Sequence, residues 1–130
     1  MSIITSYYEN GKIHIQYVII NNMIEGKYEV FNNDGSLYST SIYCNNELNG
    51  EKIIYYCSKK IASIETYRNN MLNGKSIKYY ENGNIKKSSI YSNGVLNGIC
   101  SNYDYRGNLI DTSEYKDGQL HGNAITYYEN

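Results

Sequence analysis

Gly74-Lys75-Ser76-Ile77-Lys78-Tyr79-Tyr80-Glu81-Asn82-Gly83-Asn84-Ile85-Lys86-Lys87-Ser88-Ser89-Ile90-Tyr91-Ser92-Asn93-Gly94-Val95-Leu96-Asn97-Gly98 is the stretch that decides the fold. Residues 76–80 and 85–91 read as strands, because Ile and Tyr suit a pleated, half-buried surface. Between them Glu81-Asn82-Gly83 reads as a turn whose glycine can take positive φ. Asn93-Gly94 then carries the strongest short hairpin signal. Turn length sets register. A three-residue turn with Gly last pairs Tyr79 with Ile85, and a two-residue turn pairs Tyr91 with Leu96. Both pairs bury an aromatic against an aliphatic, which cross-strand energetics favours.

Working outward, the same unit recurs. Gly26, Gly50, Gly74, Gly98 and Gly122 are spaced by 24 residues. Two positions before each glycine stands Ile24, Leu48, Leu72, Leu96 or Leu120, and five after it Phe31, Tyr55, Tyr79, Tyr103 or Tyr127. Leu37, Ile61, Ile85 and Leu109 form a further column, and so do Tyr43, Tyr67, Tyr91 and Tyr115. Tyr7, Gly11 and Ile13 fit an N-terminal copy with Ser2 in the glycine place. The chain therefore divides into five units over 2–121 and the first part of a sixth over 122–130, within one domain, 1–130. Lys59 replaces the turn glycine in one unit, so the turn Ser58-Lys59-Lys60 is expected to differ or be strained. Leu96 and Tyr103 are seven residues apart, which strict alternation would place on opposite faces. A bulge or ladder break is therefore expected within three residues after Gly26, Gly50, Gly74 and Gly98, whose role is structural. The fold class that follows is all-β: a single elongated, open antiparallel meander of consecutive hairpins, with about eleven strands and a rise of ~10 Å per unit.

Composition agrees. Of 130 residues, 17 are Tyr, 18 Ile and 19 Asn, with no Pro or Trp, which excludes an all-helical fold. Lys and Arg number 12 against 13 Asp and Glu, a formal charge of −1, so nucleic acid is not the expected partner. Met1-Ser2-Ile3-Ile4-Thr5-Ser6 has neither the basic nor the apolar region of a secretory signal. An apolar run such as Tyr17-Val18-Ile19-Ile20 is too short to span a bilayer. Cys44, Cys57 and Cys100 show no framework spacing and read as reduced thiols, which points to the cytoplasm.

Asp117-Gly118-Gln119-Leu120-His121-Gly122 resembles the MORN repeat, whose pattern includes Asn/Asp-Gly-x-x-His-Gly. Asn93-Gly94-Val95-Leu96-Asn97-Gly98 matches with Asn in place of His. Tyr7-Tyr8-Glu9-Asn10-Gly11 and Tyr79-Tyr80-Glu81-Asn82-Gly83 resemble the signature of the longer MORN variant, found in YwqK-type proteins and in large DNA viruses. The second glycine of the usual Gly-x-Gly is absent; Tyr28, Lys52, Ser76, Cys100 and Ala124 stand there, again as in the longer variant. The resemblance covers essentially the whole chain. It implies an elongated sheet of hairpins serving as a scaffold or binding module, without enzymatic activity.

The residues themselves suggest no catalysis. His14 and His121 fall at non-equivalent repeat positions without a partner at ligand spacing, and the three cysteines occupy three different columns. The Asn-Gly-x-Leu-Asn-Gly segments lack the helix and Lys-Ser/Thr of a phosphate loop. No catalytic, metal or cofactor site is expected. One column stands apart: Tyr8, Tyr56, Tyr80 and Tyr128, interrupted by Asn32 and Asp104. Its tolerance of Asn and Asp reads as solvent-facing, which makes it either edge filler or a partner-binding stripe. The expected function is a non-catalytic protein-interaction scaffold. An antitoxin or immunity-type protein is the alternative implied by the YwqK-type resemblance; membrane-surface binding is disfavoured by the absence of a basic cluster. The expected partner is another protein or a second copy, added through the C-terminal edge strand.

Overall fold

The structure, a computed structural model, describes residues 1–127, and these form one open antiparallel sheet without helices. β1 (Ser2–Tyr7) and β2 (Ile13–Ile20) make the first hairpin, β3 (Met23–Phe31) and β4 (Leu37–Cys44) the second. β5 (Glu47–Leu48), β6 (Gly50–Tyr55) and β7 (Ile61–Arg68) form the third unit, β8 (Met71–Tyr79) and β9 (Ile85–Ser92) the fourth. β10 (Val95–Leu96), β11 (Gly98–Tyr103) and β12 (Leu109–Lys116) form the fifth, and β13 (Gln119–Thr126) opens the sixth. Strand order follows chain order, with the two-residue β5 and β10 set aside as extensions of β6 and β11. Eleven strands thus run in sequence from the β1 edge to the β13 edge, the expected meander.

Two turn chemistries alternate. On one long side, Asn21-Asn22, Asn45-Asn46, Asn69-Asn70, Asn93-Gly94 and Asp117-Gly118 hold both central residues at positive φ, as a type I′ turn requires. Asn does this where Gly is missing because its short polar side chain tolerates the left-handed region. These turns also bind the units together. Asn46 donates its N–H to the Ile24 carbonyl at 3.1 Å while its Oδ1 accepts from the Ile24 N–H at 2.7 Å, and Asn70 repeats this on Leu48. On the other long side, three-residue turns end at Gly11, Gly35, Gly83 and Gly107. The equivalent Lys59 keeps the same hydrogen bonds at φ 73, so that turn is strained rather than different.

The expected pairs are present: Tyr79 opposite Ile85 and Tyr91 opposite Leu96. A ladder break also stands at each repeat glycine, centred on it rather than following it. Tyr17 pairs with Tyr28 and Ile19 with Ile24, leaving Glu25-Gly26-Lys27 opposite Val18; Asn73-Gly74-Lys75 lies likewise opposite Thr66. Pairing toward the following strand runs straight through, Gly50 with Tyr67 and Gly98 with Tyr115. The break inserts two residues, an even number, and so does not exchange the faces as expected. The odd, one-residue shift lies beside the aromatic column, where Lys78–Lys87 is followed by Tyr79–Ile85 and Lys86 is left over.

One layer leaves no deep core. Among the described residues the buried side chains are small: Ser39, Ser41, Ser63, Ser76, Ser89 and Cys100. Register places them on one face, because Ser41 pairs with Tyr28, Ser63 with Ile54 and Lys78, and Ser76 with Glu65 and Ser89.

Candidate protein-interaction face

The tyrosine column singled out from the sequence serves first as a staple between units. The Tyr8 hydroxyl donates to the Phe31 carbonyl at 2.6 Å, Tyr56 to Tyr79 at 2.5 Å, and Tyr80 to Tyr103 at 2.8 Å. Each bond joins one unit to the next across 23 residues of chain. All three rings are half-buried, so the expectation of a solvent-facing column is corrected: the phenol finds its acceptor in the neighbouring backbone. Where Asn32 and Asp104 interrupt the column, their side chains turn to local partners instead, Ser36 in one turn and the Arg106 and Asn108 N–H groups in the other. Tyr128 lies outside the described residues. His14 stacks on Tyr8 with centroids 4.3 Å apart, and Lys86 lies 5.7 Å over the Tyr80 ring.

The repeat glycines behave as the spacing implied. Gly26, Gly50, Gly74, Gly98 and Gly122 all have positive φ. At Gly50 an added Cβ would lie 3.1 Å from the Ile42 Cβ, and at Gly98 3.2 Å from that of Ile90, so close strand approach adds to the conformational demand. Of the cysteines, only Cys100 fills a packed position, 3.4 Å from the Ser89 hydroxyl; Cys44 and Cys57 are exposed. Among the described residues no group of three His, Cys, Asp or Glu side chains is placed to hold a metal ion.

A surface that the sequence reading did not single out emerges on the serine face. Tyr43, Tyr67 and Tyr91 project there in a row, each opposite Leu48, Leu72 or Leu96, beside the floor of small buried residues. Tyr17, Tyr28 and Tyr43 extend it as a ring cluster, Tyr17 stacked on Tyr28 with centroids 5.0 Å apart and Tyr43 tilted against Tyr28 at 5.2 Å. Burial, reinforced by the negative charge and hydrogen bond of Glu65, pushes the Tyr67 phenol above its usual range; burial and its tyrosine neighbours do the same for Tyr28. Both phenols therefore remain protonated hydrogen-bond donors. The signal was present as the Tyr43–Tyr67–Tyr91–Tyr115 column, but a column does not show which face it occupies.

The surface is a wall of tyrosine and leucine beside a floor of small, mostly polar residues. The MORN repeat variant family matches residues 3–21 and 72–94. No curated protein is significantly similar to the chain. The two matched segments stand three 24-residue periods apart and share the register of the unmatched units between them. MORN repeats are in general protein- or membrane-interaction repeats. The chain is thus similar to the MORN repeat variant in two of its units, and it is built from one antiparallel hairpin unit used over and over.

Proposed function

We propose that this protein is a non-catalytic scaffold that holds a partner protein against the tyrosine-walled face. The observation that carries this reading is a cross-strand pair of like charge. Lys78 pairs directly with Lys87 on that face, beside the buried Ser63, although like charges set opposite each other destabilise a sheet. A partner segment bearing an acidic side chain would relieve the repulsion, while the tyrosines supply rigid contact area at low entropic cost. Affinity capture from the native source with wild-type protein and with the Lys78→Glu/Lys87→Glu variant tests the proposal. The variant is expected to fold and to lose the partner; equal capture by both contradicts the reading.

A second reading is favoured by the C-terminal edge. All eight residues of β13 are exposed, and its outer backbone groups offer a template for strand addition. Ala124→Pro would remove one donor from that strand, and a partner held by edge pairing would be released. An antitoxin role, implied by the YwqK-type resemblance, would employ the same binding surfaces; co-expression with the captured partner would then rescue growth.

A further inference from the structure

The opposite face of the sheet carries an unpartnered isoleucine row. Ile53 pairs with Ile64 and Ile64 with Ile77, so three isoleucines stand side by side across β6, β7 and β8. Two residues along each strand the row changes to Glu51, Thr66 and Lys75, with Glu51 opposite Thr66 on β7 and Lys75 opposite Ile90 on β9. Glu51 and Lys75 are exposed and lie two strands apart, roughly 10 Å, too far to pair with one another. Ile42 on β4 and Ile90 on β9, two strands to either side of β7, are 40% and 39% exposed. The whole chain exposes 8487 Å², against about 7,000 Å² for a compact protein of its mass. The excess exceeds the ~800 Å² that each partner buries in a standard interface.

We infer that this face pairs with the same face of a second copy about a two-fold axis running along β7. The argument is self-complementarity. Rotation about β7 lays β6 of one copy over β8 of the other, so Ile53 meets Ile77 and Ile64 meets its own counterpart. The same rotation sets Glu51 against Lys75 and Lys75 against Glu51, two opposite-charge pairs from one operator. It also brings Ile42 over Ile90. Two sheets packed at about 10 Å would give these side chains the second layer that a single sheet lacks. The tyrosine-walled face remains free on both outer surfaces.

Sedimentation equilibrium on the full chain tests the assignment with two exposed, conservatively placed charge reversals. Wild-type protein is expected to be a dimer at micromolar concentration. Glu51→Lys and Lys75→Glu, each alone, juxtapose like charges twice and weaken the dimer on the order of tenfold or more. An equimolar mixture of the two variants is expected to associate as tightly as wild type, because each reversed charge then meets its opposite. Circular dichroism confirms that each variant folds. A wild-type monomer at ~1 mM, a dimer indifferent to both reversals, as edge pairing would give, or a mixture no tighter than its components overturns the inference.

Discussion

Lys59 shows what a single residue contributes to a repeated turn. Its counterparts Gly11, Gly35, Gly83 and Gly107 sit at φ 87, 93, 94 and 95, and Lys59 is forced to 73 with the same hydrogen bonds. A side chain in the left-handed region costs about 1–2 kcal/mol, partly offset by the unfolded-state freedom that glycine adds. Lys59→Gly is therefore expected to stabilise the protein by about 0.5–1 kcal/mol, read as a raised denaturant midpoint; a lowered midpoint would contradict the turn assignment. Tyr56 gives the converse case. Tyr56→Phe removes the donor to the Tyr79 carbonyl and should cost about 1 kcal/mol, whereas a mere filler ring would lose nothing. Two exposed carboxylates respond to pH. The Ser36 hydroxyl and N–H hold the Asp34 carboxyl below its usual value of 3.8, and the Asn108 N–H, with its neighbours, does the same for Asp104. Because these values are lowered by folding, the associated stability is present above the ordinary carboxylate range and is lost as pH falls through the lowered values. NMR titration should place both midpoints below 3.8; midpoints at or above 3.8 would show the turns are not clamped.

At the scale of the element, the five glycines divide by what surrounds them. Gly26 has φ 78 and open space where a Cβ would stand, a conformation that L residues reach at modest cost. Gly50 and Gly98 have φ 134 and 135, with Ile42 and Ile90 tight against them. Gly50→Ala and Gly98→Ala should therefore each cost about 1–3 kcal/mol more than Gly26→Ala, measured by thermal unfolding. Equal costs would mean that the ladder break does not depend on close approach. The hairpins were legible from residue spacing because turn chemistry is local: Asn93-Gly94 and Glu81-Asn82-Gly83 announce their own geometry. Asn21-Asn22, Asn45-Asn46 and Asn69-Asn70 were harder to read, since without glycine the I′ signal rests on the tolerance of Asn alone. The parity of the glycine break was illegible for a different reason. It depends on how many residues of one strand oppose the next, which is a property of a pair of strands.

At the scale of the whole molecule, each unit meets only its neighbours through ladder bonds, the type I′ turn contacts and the tyrosine staples, so stability should sum over units and interfaces. The architecture followed from periodicity; the tyrosine-walled face proposed to hold a partner did not. Tyr8, Tyr56 and Tyr80 attracted notice because their column is interrupted, yet that variation marks where the staple is dispensable. Tyr43, Tyr67 and Tyr91 form a constant column, which shows a repeated structural position but not the face it occupies, and a one-layer sheet has no interior in which to bury them. Lys78 and Lys75 lie three residues apart on β8 and face opposite ways, Lys78 paired with Ser63 on the serine face and Lys75 adjoining the isoleucine face. Photo-crosslinking from position 78, with position 75 as the comparison, in an extract of the native source tests the central claim most directly. The account predicts a covalent adduct between position 78 and a different protein, while position 75 yields only a self-adduct of twice the chain mass. No adduct from position 78, or a foreign adduct from position 75 alone, would contradict it.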